Sequence, residues 1–216
     1  MASGAQRTKD LLGIMTAQPV IPVIRIARVA DAVPLARALA AGGLPAVEIT
    51  LRTPAALDAI RAVAAEVPEA IVGAGTILDA RQFDVAAEAG ARFIVSPGFT
   101  PQLAAAAADS PVPLLPGAIT PGEIMAAAEA GHSILKFFPA GQAGGAAFLK
   151  ALTSPFAGIR FCPTGGIGPD NAADYLALEN VVCVGGSWVA PDALVAAGRW
   201  GEITDLARRA SELKRG

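Results

Sequence analysis

A chain of 216 residues is long enough for one domain with a generous core. Its formal net charge of -2, without a lysine- or arginine-rich cluster, leaves no footprint for nucleic acid. No apolar run approaches the ~18 to 20 residues of a membrane-spanning helix, the first ten residues lack the apolar centre of a signal peptide, and one histidine cannot build a histidine-based metal site. A cytoplasmic protein is expected, with no membrane partner, no metal and no cofactor. Cys162 and Cys183 stand in apolar runs without a Cys-x-x-Cys motif and read as small core residues.

Residues 1–18 read as an N-terminal helical extension, with Leu11, Leu12, Ile14 and Met15 on its apolar side. After it, β-branched runs alternate with alanine-rich runs to the end of the chain. The strand candidates are residues 20–26, 46–51, 71–76, 92–96, 113–117, 134–138, 159–162 and 181–185. Helices are predicted between them over 31–41, 54–66, 80–89, 101–108, 121–130, 146–152 and 170–178, with a last one over about 202–214. Thr53-Pro54, Thr100-Pro101 and Thr120-Pro121 each place a capping hydroxyl before a first-turn proline. Gly42-Gly43, Gly90 and Gly131 mark helix ends. Eight βα units at a spacing of roughly 21 to 26 residues predict an α/β fold, a single (β/α)₈ TIM barrel domain over residues 1–216. An open doubly wound sheet would want a glycine-rich turn after its first strand, and Arg25-Ile26-Ala27-Arg28 is not one.

The chemistry of such a barrel lies at the C-terminal ends of its strands. One of only four lysines, Lys136, interrupts the apolar run Ile134-Leu135-Lys136-Phe137-Phe138. A strand-end lysine can pack its stem and keep its head in water. Desolvation, however, disfavours the ammonium form of any lysine, and a neutral amine among apolar walls is what Schiff-base chemistry on a carbonyl requires. In the second strand Val47, Ile49 and Leu51 alternate with Glu48, Thr50 and Arg52, so the polar set is expected to point into the barrel. A structural ion pair filling the barrel would give the same pattern. The glycines of the third strand, Gly73 and Gly75, allow close backbone approach, and Thr76 ends it with a hydroxyl, with capping of the next helix as the other reading. Ser96-Pro97-Gly98 and Pro116-Gly117 are tight strand exits.

Thr164-Gly165-Gly166 and Gly185-Gly186-Ser187 put paired glycines after the seventh and eighth strands, where exposed N–H groups and following helix N-termini would bind phosphate. A 2-keto acid with a terminal phosphate satisfies these anchors. Lys136 would form the iminium, Glu48 would shuttle protons, and the planar fork of Arg52 would hold the carboxylate.

Taken in order, Glu48-Ile-Thr-Leu-Arg52-Thr53, Val72-Gly-Ala-Gly-Thr76, Ser96-Pro97-Gly98, Lys136-Phe-Phe-Pro-Ala140, Pro163-Thr-Gly-Gly-Ile167 and Gly185-Gly-Ser-Trp188 resemble the 2-keto-3-deoxy-6-phosphogluconate (KDPG) aldolases, a family that includes 4-hydroxy-2-oxoglutarate (KHG) aldolases. The resemblance runs from about Val20 to the C-terminus. It implies a metal-free class I aldolase of the Entner–Doudoroff pathway, releasing pyruvate and glyceraldehyde 3-phosphate, and a homotrimer. It also implies that Lys136 is the Schiff-base residue and Glu48 the acid–base residue. Arg52, Thr76, Pro97 and Phe138 would line the pyruvate site, while Thr164, Gly165, Gly166, Gly186 and Ser187 would serve the hydroxyl and phosphate end. Gly141 departs from the pattern, since many members carry glutamate there. Two alternatives stay open: a different phosphate-binding barrel enzyme, which would want a metal or pyrophosphate site, and a phosphosugar sensor, which would have no use for a desolvated lysine.

Overall fold

Alternation of apolar strands and alanine-rich helices persists through the tertiary structure, a computed structural model that describes residues 3–216. The strands are β1 (Val20–Ile24), β2 (Ala46–Thr50), β3 (Ile71–Gly75), β4 (Ile94–Val95), β5 (Leu114–Leu115), β6 (Ile134–Phe137), β7 (Arg160–Pro163) and β8 (Val184–Gly186). They run parallel in a six-stranded sheet of order β5-β4-β3-β2-β1-β8 and a two-stranded sheet β6-β7. The large sheet curls, and its two edge strands flank the small one. Lys136 N–H donates to Pro116 at 2.8 Å and Ala118 N–H to Lys136 at 2.9 Å on one side. Phe161 bridges to Val181, and Thr164 to Gly185, on the other. The ladder is thin at β5, where Pro113 and Pro116 flank the strand, because proline has no N–H to give.

The helices are α1 (Gly4–Thr16), α2 (Ala32–Ala41), α3 (Ala56–Glu66), α4 (Ala80–Glu88), α5 (Pro101–Asp109), α6 (Pro121–Glu129), α7 (Gly145–Leu152), α8 (Ala172–Leu176), α9 (Asp192–Ala196) and α10 (Trp200–Ser211). None is long and apolar enough to cross a membrane, among the described residues. Thr100 caps α5, and Thr120 caps α6 in a reciprocal box with Glu123. Hydrogen bonds from the Thr120 and Ile119 backbone hold the Glu123 carboxyl below its usual range. Thr53 does not cap α3, contrary to the sequence expectation. Its hydroxyl donates to the Ile26 carbonyl, and the helix begins later, at Ala56. Thr76 is no cap either, because Asp79 takes that place for α4. Helix α9 was not anticipated: five residues carry too little periodicity to read.

Side-chain alternation sorts the core into two layers. Val47, Ile49, Leu135, Phe137 and Phe161 pack outward against the helices. The residues between them in sequence turn inward: Ala46, Ile134 and Cys162 join Leu11, Met15, Ile21, Phe93 and Leu115 in a second cluster. Helix α1 seals that inner cluster with Leu11 and Met15, whereas Leu12 is exposed and Ile14 half-buried, so its apolar side is narrower than predicted. Full burial of such side chains contributes about 1.5–3 kcal/mol each. Burial pushes the Cys183 thiol well above its ordinary range, with Cys162 beside it adding to the effect. Gln18, in the linker after α1, is buried like a strand residue. Its amide donates to Val20 and Ala46 and accepts from Ala46 N–H, all within 2.8 Å.

Candidate active site

Lys136 shares the inward parity of Ile134, one step nearer the C-terminal end of the sheet, and lies in register with Cys162 on β7. Glu48 on β2 points inward from the far side of the curl. The two meet with Nζ 3.2 Å from Oε1, their side chains only 7% and 4% exposed. So little water reaches the pair that each charge depends on the other, and removal of one partner from such a pair costs about 3–5 kcal/mol. The ring of Phe138 adds a face for the cation, with its centroid 5.4 Å from Nζ. Glu48 fits because Gly75, on the neighbouring strand β3, has no side chain. A Cβ there would overlap the carboxylate. Thr50 turns inward as predicted and is spent structurally, its hydroxyl donating to the Ile24 carbonyl at 2.9 Å.

On the other side of Phe138, whose ring Lys136 faces, lies a cavity of about 520 Å³ walled by Arg52, Phe138, Thr164, Gly165, Gly166, Gly186 and Ser187, with Lys136 and Glu48 themselves behind that wall. Arg52 was expected inside the barrel. It stands past the last residue of β2 and is exposed, so it reaches over the cavity from the rim. Thr76 and Pro97, half-buried at the ends of β3 and β4, are not among the residues of this wall. Thr76 holds a left-handed backbone, φ 61°, which is uncommon for a threonine and bends the chain at the strand exit.

Gly165 and Gly166 have φ of 96° and 71°, consecutive left-handed residues that a side chain would strain. A Cβ on Gly185 would strike the Thr164 hydroxyl, and one on Gly186 the Trp188 ring. These glycines are thus required by packing and by conformation together. The helix N-termini expected just after the glycine pairs are not there. Helices α8 and α9 begin at Ala172 and Asp192, several residues on and one turn long, so the corner consists of backbone and the Ser187 hydroxyl. Gly141 N–H donates to the Gly165 carbonyl at 2.9 Å, and a Cβ at position 141 would meet only ordinary contacts, so the backbone there has room for the side chain that many family members carry.

The sequence marks the third-strand glycines as sites of close approach, but not that Gly75 makes room for Glu48, a need that exists only across strands. Two residues were passed over. Arg25 and Asp192 line the same cavity, 3.8 Å apart. A systematic reading of polar residues at every strand end would have found Arg25.

Parallel strands that bring an enclosed lysine and carboxylate into contact beneath a glycine-walled cavity define a class, α/β proteins equipped for amine–carbonyl chemistry. The comparisons narrow it. The family model described as KDPG and KHG aldolase matches residues 12–206. The chain is 52% identical to the KHG/KDPG aldolase of Escherichia coli over 92% of its length and 93% of that protein's. It is 51% identical to the 2-dehydro-3-deoxy-phosphogluconate aldolase of Pseudomonas aeruginosa, over 96% and 94%. Its fold superposes with a TM-score of 0.91 on KDPG aldolase from Legionella pneumophila, solved with pyruvate captured as a covalent carbinolamine, at 44% identity over 93% of this chain and 98% of that one. The KDPG aldolase of Zymomonas mobilis, solved with 3-phosphoglycerate, gives the same TM-score at 47% identity over 97% and 98%. The chain belongs to the KDPG and KHG aldolase family.

Proposed function

We propose that this chain is a class I aldolase cleaving 2-keto-3-deoxy-6-phosphogluconate to pyruvate and glyceraldehyde 3-phosphate. The observation that carries the reading is the enclosed Lys136–Glu48 contact of 3.2 Å. Along it a proton passes from Nζ to the carboxylate, and the freed amine adds to the keto carbon. Glu48 returns that proton to the carbinolamine oxygen, then takes a second from the nitrogen and passes it to the same oxygen, which leaves as water; the iminium then draws electrons from the carbon–carbon bond as the substrate hydroxyl gives its proton to Glu48. Protonation of the resulting enamine and hydrolysis release pyruvate and restore Lys136.

Arg52 takes the substrate carboxylate from the rim, with Thr76, Pro97 and Phe138 around the pyruvate half. Thr164, Gly165, Gly166, Gly186 and Ser187 receive the hydroxyls and phosphate. The pyruvate carbinolamine of the Legionella pneumophila relative supports the Schiff-base route. We further propose that the two sheets form one closed (β/α)₈ barrel and a single domain, a reading supported by the bridges at both edges of the small sheet. By the same family logic the enzyme works as a cytoplasmic homotrimer in the Entner–Doudoroff pathway, without metal or cofactor. Because the Escherichia coli relative is named for both substrates, cleavage of 4-hydroxy-2-oxoglutarate is proposed as a second activity.

The test is borohydride reduction in the presence of pyruvate, followed by mass mapping. A pyruvate adduct on Lys136 is expected, and a folded protein without one would sink the mechanism. Activity should survive EDTA, and its loss would favour a metal-dependent barrel enzyme.

A further inference from the structure

The cavity mouth carries a charge pair that the reaction above leaves unused. Arg25 follows the end of β1, and Asp192 lies beyond the end of β8, the strand beside it. Their guanidinium and carboxylate face each other at 3.8 Å with side chains 54% and 75% exposed, a long and solvated pair of little strength. Neighbouring Arg28 is committed by contrast, its Nε and Nη2 donating to the two carboxylate oxygens of Asp31 at 2.9 and 2.8 Å. Arg25 shares its cavity wall with Gly165, Gly166, Gly186 and Ser187. Its fork is therefore held loosely beside the corner where a distal anion would sit. A phosphate dianion offers more charge and better bidentate geometry than the remote oxygen of Asp192.

We propose that Arg25 is the specificity-determining cation for the distal end of the substrate, and that Asp192 is its built-in competitor. A phosphate at the glycine corner draws Arg25 from Asp192, whereas the shorter dicarboxylate 4-hydroxy-2-oxoglutarate leaves the pair intact. This rests on the aldolase reading and deepens it, because it names what sets the preference between phosphorylated and dicarboxylate substrates. The two residues have effects of opposite sign. Loss of the cation weakens the phosphorylated substrate, while loss of the carboxylate frees the cation and removes a negative charge facing the dianion.

The experiment compares wild type with R25M, R25K and D192N, reading kcat/KM for both substrates and inhibition by inorganic phosphate. R25M should lower the phosphorylated-to-dicarboxylate ratio roughly ten- to a hundredfold, chiefly through KM, and R25K should recover part of it. D192N should raise the ratio roughly two- to fivefold and tighten phosphate inhibition. An unchanged ratio in R25M overturns the assignment, and a lowered ratio in D192N overturns the competitor role. Borohydride capture of pyruvate by the wild type separates the two levels. If it fails, the aldolase reading falls, and calorimetric phosphate binding to the same proteins still decides Arg25.

Discussion

The two ends of the curled sheet are built from the same inward-facing positions and have opposite characters. At the N-terminal end these positions hold Ile21, Ala46 and Ile134, closed over by Leu11 and Met15 of α1. One inward step further along β2 and β6, Glu48 and Lys136 replace hydrocarbon with a buried ion pair, and beyond them lies an open cavity. The contrast teaches that the reactive pair stands on a rigid apolar floor. The floor keeps water from the lysine stem, and the open end admits substrate to its head.

Breaking the reactive end should have the largest effect. Lys136→Met should abolish aldol cleavage, by more than about a thousandfold in kcat. It also leaves Glu48 buried without its cation, so thermal melting should fall while the fold persists. Cleavage retained in that variant would exclude the assigned role. Gly75→Ala should come next, because its methyl group occupies the space of the Glu48 carboxylate. A displacement of that size in a catalytic group costs about a hundredfold in kcat. Steady-state kinetics would check this, and a variant with wild-type kcat would show that Glu48 has room to spare.

At the floor, effects on stability should outweigh effects on chemistry. Gln18→Ala strips Ala46 N–H and two carbonyls of buried partners. About 2–3 kcal/mol should be lost in urea denaturation, with turnover per folded molecule retained. The smallest effect concerns His132, half-buried beside α1. Burial first, and the charge of Arg7 second, hold its imidazole below the usual 6.5. The unfolded chain then takes up the proton before the folded one does, so stability is complete above about pH 6.5 and is eroded as pH falls through the folded value. His132→Gln should flatten that acid-side loss in pH-dependent melts. An unaltered slope would place the titration elsewhere.

How far the chain could be read depended on how local each signal was. Thr100 and Thr120 cap their helices as read, because the hydroxyl and the N–H it satisfies lie three residues apart. Thr53 has the same local sequence and fails as a cap, since a carbonyl at the end of β1 competes for its hydroxyl. The inward parity of Glu48 and Thr50 was legible from alternation, but the exposure of Arg52 was not: β2 stops at Thr50, and past its end the period of two no longer applies.

The order of strands and helices, the inward face of β2, the oddness of Lys136 and the glycine pairs are properties of the sequence alone. They follow from backbone geometry and solvent preference over a few residues, together with the resemblance those motifs carry. Tertiary structure alone decided that Lys136 meets Glu48, 88 residues away in the chain, that Gly75 must be small to admit that carboxylate, and that Arg25 faces Asp192 over the cavity. Those are contacts between strands brought together only when the sheet curls, and no spacing within the chain encodes their distance.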